Sequence, residues 1–74
     1  MYNSTETANR IKSLAKERGI SVRQVLLSAK LSYNTMSNMK TSMPKADNLA
    51  RIADYLDCSV DYLLGRTDNP EVNR

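Results

Sequence analysis

Leu49, Ile52, Ala53 and Leu56 fall at i, i+3, i+4 and i+7, the spacing that lines one side of an α-helix with apolar groups. Short runs of the same period recur along the chain. Nowhere do apolar and polar residues alternate as they do in a half-buried strand. Ile11, Leu14 and Ala15 share one side of a segment from about residue 5 to 18, and Val22, Val25, Leu26 and Ala29 line a second. Met36 and Met39 are the inward residues of a third, the quartet above marks a fourth over roughly 46–57, and Val60, Leu63 and Leu64 mark a fifth. The punctuation agrees. Gly19 is a C-terminal stop, and Ser21 with Gln24 three positions on forms a capping-box pattern. Ser32 is expected to cap the third helix, and residues 41–44, TSMP, form a loop because proline offers no amide hydrogen. Asp47 sits in the first turn of the fourth helix, where the dipole favours an anion. Ser59 caps the fifth and Gly65 ends it. The prediction is an all-α domain of five short helices over residues 1–65, followed by a flexible C-terminal tail, 66–74, with no period of its own.

Seventy-four residues make one domain with a small core and no deep cleft. The chain has one cysteine, Cys58, and no histidine. Internal disulfides, Cys/His metal sites and Ser–His or Cys–His nucleophile pairs are therefore excluded. There is no glycine-rich phosphate loop, so an enzyme is not expected, nor is a cofactor or small-molecule ligand. An unpaired thiol suits a reducing compartment. No apolar run approaches the roughly 20 residues that span a bilayer, and the first 20 residues lack the apolar stretch of a signal peptide. The expected location is the cytoplasm, away from any membrane.

The chemistry is concentrated in residues 21–40, SVRQVLLSAKLSYNTMSNMK, which read as two short helices joined by a tight turn. With Met36 at 0° and about 100° per residue, Met39 and Ser32 fall near it, Asn34 and Asn38 fall opposite, and Ser37 and Tyr33 lie on the flank between. That outer face is uncharged and dense in hydroxyl and amide groups, whereas a plain solvated surface more often carries Glu and Lys. Such groups hydrogen-bond base edges, and a helix fits the major groove of B-DNA. The charge is divided as well. Residues 1–45 hold eight basic and two acidic side chains, and residues 46–74 hold three basic and six acidic. A molecule so divided approaches a polyanion with its first half forward.

Three stretches, RIKSLAKERGIS, LSYNTMSNMK and LARIADYLDCSVDYLLGRTD, resemble the lambda-repressor-like, Cro/CI (XRE-type) helix-turn-helix domains over about residues 8–66. The third is the most distinctive. The resemblance implies a compact five-helix domain that regulates transcription, often as a homodimer on a palindromic double-stranded DNA operator. By position it assigns base reading to Tyr33, Asn34, Ser37 and Asn38. It assigns backbone contacts to Ser21 and Val22, to Ser32, and to Thr41 and Ser42. Arg23, Lys40 and Lys45 are the further phosphate candidates.

The chain departs from the family pattern in places. Val22 replaces a phosphate-touching glutamine, which leaves Arg23 as the substitute. Lys30 stands where the turn usually has glycine, and Leu26 where helix 2 usually has a small alanine. Ala15 and Lys40 stand where many members pair arginine with glutamate. Loss of both partners together avoids a buried unpaired charge. The competing reading is a protein-interaction module, an antirepressor or antitoxin-like protein, using the same helices.

Overall fold

The computed structural model describes residues 2–32 and 34–71. Its elements are α1 (Ser4–Glu17), α2 (Val22–Ser28), α3 (Thr35–Asn38), α4 (Ala46–Leu56) and α5 (Val60–Leu64). All described regular structure is helical, as the apolar periods predict. Helices of four to fourteen residues are marginal alone in water, so packing of their apolar stripes must hold them. α1 packs on α5 and α2, and α4 packs on α2 and α5. The core joins Ile11, Leu14 and Ala15 of α1, Val25 of α2, Leu49, Ile52, Ala53 and Leu56 of α4, and Leu63 of α5. Cys58 is part of it and behaves as a small buried hydrophobe.

Side-chain caps begin three helices. Asn3 Oδ1 accepts from the Thr5 amide at 2.8 Å and the Glu6 amide at 3.2 Å, so α1 starts slightly earlier than expected. Ser21 Oγ accepts from the Gln24 amide at 3.1 Å, and Ser59 Oγ from the Tyr62 amide at 3.0 Å. Each such cap contributes roughly 0.5–2 kcal/mol. Ser32, by contrast, does not cap α3. Asn34 holds the N-cap position and no side chain caps it. Ser32 contributes its carbonyl instead, which accepts from the Thr35 amide at 3.1 Å and the Thr35 hydroxyl at 2.8 Å. The threonine hydroxyl closes the turn that the serine hydroxyl was expected to close.

Four helices end in the same way. One residue takes positive φ, its amide bonds back three residues, and the next amide bonds back five. The left-handed residues are Gly19 after α1, Lys30 after α2, Asp57 after α4 and Gly65 after α5. In the helix-turn-helix, Lys30 N donates to Leu27 O at 3.1 Å and Leu31 N to Leu26 O at 2.9 Å. The turn thus keeps its left-handed geometry with lysine in place of glycine. Gly65 meets a second demand: a Cβ there would lie 2.8 Å from the Arg10 guanidinium, which rests over the end of α5. Asp57 tolerates the conformation as aspartate often does, and Arg18 donates to its carbonyl at 3.5 Å, tying α1 to the end of α4.

Of the segment expected as a tail, residues 66–71 turn back, and 72–74 lie outside the described residues. The Ser59 amide donates to Pro70 O at 2.9 Å, so the chain returns to the start of α5. Thr67 Oγ1 and Asn69 Oδ1 each accept from the amide two residues on. The Arg66–Asp61 pair, 3.7 Å apart and more than half exposed on both sides, adds little to stability.

Candidate nucleic-acid interface

α3 is four residues long and lies outside the closest-packed helix pairs. It is seated by Met39, 1% exposed, and by Met36, half-buried against the core. These are the two side chains that the helical wheel turns inward. Thioethers fill such irregular gaps well. With the methionines inward, Asn34, Ser37 and Asn38 are all exposed. Asn34 and Asn38 are one turn apart and share a face, and the Asn38 amide donates to Asn34 O at 2.9 Å. Asn34 makes no cap bond, and neither carboxamide bonds to a described residue. Each keeps a donor pair and an acceptor available. Tyr33, the fourth base-reading candidate, lies outside the described residues.

The backbone candidates Ser21, Arg23, Ser32, Lys40, Thr41, Ser42 and Lys45 are exposed without exception. Their hydrogen bonds differ in consequence. Ser21 Oγ accepts within its own cap, which leaves the hydroxyl hydrogen to be donated outward. Thr41 and Ser42 are engaged at the end of α3, where their hydroxyls donate to Asn38 O at 3.3 and 3.4 Å. Their amides donate to that same oxygen at 3.1 and 3.0 Å. A phosphate reaching either residue must turn a hydroxyl away from the helix end. Local back-bonding of this kind competes with outside partners.

The family departures have local explanations. Leu26 is buried, with the small Ala15 and Ala29 also in the interior. Ala15 fills its site without charge while Lys40 stands exposed, so no unpaired charge is buried. Of the tyrosines of α4 and α5, Tyr62 packs against the core and Tyr55 is exposed.

α3 runs between two grooves. One, of about 200 Å³, is bordered by Lys12 of α1, Val22, Arg23 and Leu26 of α2, and Met36 and Ser37 of α3. The other, of about 490 Å³, reaches from Asn38 and Ser42 to Lys45, Asn48 and Arg51. The linear sequence did not mark Asn48 or Arg51, because Arg51 lies in the acidic half of the chain. Only the docking of α4 beside the end of α3 brings it to Asn38. Among the described residues there is no cluster of potential metal ligands, and no helix is long and apolar enough to cross a membrane.

No curated protein matches the chain. Residues 10–69 match the family model of the Cro/C1-type HTH DNA-binding domain, a span that includes all five helices except the first turns of α1. In helix-turn-helix domains the second helix of the motif is the one that enters the major groove. The family's members are DNA-binding regulators rather than enzymes. The chain belongs to the Cro/C1-type helix-turn-helix DNA-binding family.

Proposed function

We propose that the protein is a transcriptional repressor that binds a palindromic operator as a homodimer, with α3 of each copy in the major groove. The reading rests on one observation: the carboxamides of Asn34 and Asn38 stand one turn apart, exposed and uncommitted, on the outer face of α3. A carboxamide matches the N6 donor and N7 acceptor of adenine, at about 1–3 kcal/mol of discrimination per good bidentate pair. Ser37 and Tyr33 complete the reading set. Ser21, Arg23, Ser32, Lys40 and Lys45 hold the phosphates, and Thr41 and Ser42 join them once their hydroxyls rotate off Asn38 O. Phosphate contacts supply position and much of the affinity, and base contacts supply the sequence preference. Regulation follows from occupancy, because a bound dimer blocks polymerase. The site of action is the cytoplasm, and no small-molecule ligand is required.

Selection of bound duplexes from a random pool tests this reading. Enrichment of an inverted repeat with adenines in each half-site, at a centre-to-centre spacing of about one helical turn, supports it. A single asymmetric site contradicts the dimer. No retention of any duplex at low salt contradicts DNA docking through α3 and favours the protein-interaction module.

A further inference from the structure

The larger groove beside α3 has a wall of which the DNA contacts assigned so far use only Lys45. Lys45 precedes α4, and Asn48 and Arg51 follow on its first turns, all facing the space that Asn38 and Ser42 border from the other side. The chemistry is that of an anion site. Arg51 is exposed and has no hydrogen-bond partner among the described residues. Asp47 lies four positions before it, an arrangement in which acid and base commonly pair on a helix, yet the two form no ion pair. The Asn48 carboxamide and the Lys45 ammonium are likewise unengaged. Donors therefore converge on a groove whose one anionic side chain, Asp47, neutralises neither cation. A guanidinium presents a planar fork of N–H groups that matches two oxygens of one phosphate.

We propose that this groove seats a phosphodiester of the DNA backbone, gripped by Arg51 with Lys45 and Asn48, so that Asn38 is fixed in register against the adjacent base. The inference rests on α3 docking in the major groove. A helix lying there has a phosphate strand on each side, and the groove faces one of them. Arg51 is thus a positioning residue on α4, outside the helix-turn-helix.

The test uses a random-sequence duplex, so no operator is needed, and follows affinity against salt for the wild type and four variants. Loss of one phosphate contact lowers the log–log salt slope by about 0.9, equivalent to about eightfold in affinity between 1 M and 0.1 M salt. Arg51→Ala is expected to show that loss beyond the change in a control of equal charge, Lys16→Ala, which borders neither groove. Arg51→Lys is expected to keep the slope. Asp47→Asn is expected to bind more tightly. Equal slopes for Arg51→Ala and Lys16→Ala would overturn the proposal. Should Arg51→Ala melt early, Asp47→Asn decides: tighter binding supports the groove and unchanged binding overturns it. Asn34→Ala and Asn38→Ala, measured in parallel on selected duplexes, separate the two readings. Loss of discrimination there with Arg51→Ala unchanged overturns the groove alone. A reduced Arg51→Ala slope with discrimination intact overturns base reading and leaves the groove standing.

Discussion

Thr7 offers a direct check on the packing of α1. It lies in the first turns of the helix, 0% exposed, and its Oγ1 is buried without a hydrogen-bond partner among the described residues. A buried hydroxyl left unpaired costs about 1–3 kcal/mol in desolvation. Valine has nearly the same shape and puts a methyl where the hydroxyl stands. Helix propensity is close to equal for the two residues, so nothing offsets the gain. Thr7→Val is therefore predicted to stabilise the domain by about 1–3 kcal/mol, which for a domain of this size raises the melting temperature by at least roughly 4 °C. Thr7→Ser keeps the unpaired hydroxyl and removes a buried methyl. It should lose about 1 kcal/mol, from the transfer of one carbon and the cavity left behind. Urea unfolding followed by circular dichroism reads both, as midpoint shifts at constant m. A valine variant no more stable than the wild type would show that the hydroxyl is hydrogen-bonded in solution, and the reasoning would fail.

Other outcomes follow from the same geometry. Lys30→Gly should stabilise by up to about 1 kcal/mol, because φ of +59° strains any residue with a Cβ, less the entropy glycine adds to the unfolded chain; Lys30→Ala should be neutral, and thermal melts distinguish them. Burial pushes the Cys58 thiol from 9.0 up to about 11, against the pull of Arg18 and with the help of Asp57. The unfolded chain then releases this proton near pH 9 while the folded one keeps it, so stability is full below pH 9 and falls as pH rises toward 11. The total is about 2–3 kcal/mol, and Cys58→Ala should remove that part of the alkaline loss in pH-dependent unfolding. Asn38→Ala should weaken binding to a selected duplex by about 1–3 kcal/mol and leave random DNA nearly unaffected, as read by competition titration; equal loss on both would argue against base reading.

Much of this molecule is written in local signals. The apolar stripes of α1, α2, α4 and α5, the serine caps at 21 and 59, and the glycines at 19 and 65 each act within one or two helical turns. Such signals survive in the linear sequence. Where the outcome depends on competition between neighbours, the sequence is ambiguous. Ser32 and Asn34 are both good cap residues, and the hydroxyl of Thr35, reaching Ser32 O, sets the start of α3 later than the serine suggests. Asp57 ends α4 without a glycine, because aspartate tolerates positive φ and Arg18, 39 residues away, holds its carbonyl. Arg51 beside Asn38 and Pro70 against Ser59 are products of tertiary packing alone. A division of charge by sequence halves places Arg51 with the acidic residues, whereas in the fold it borders the same groove as Asn38.

The proposed recognition depends on the amide face of α3 meeting the bases. Titration of the ¹⁵N-labelled protein with a selected duplex addresses it most directly. The largest shifts are expected on the side-chain amide pairs of Asn34 and Asn38, ahead of any backbone resonance in α1 or α5. Unmoved Asn34 and Asn38 side chains, with the largest shifts around Asn9 and Tyr62 on the α1–α5 side, would contradict it.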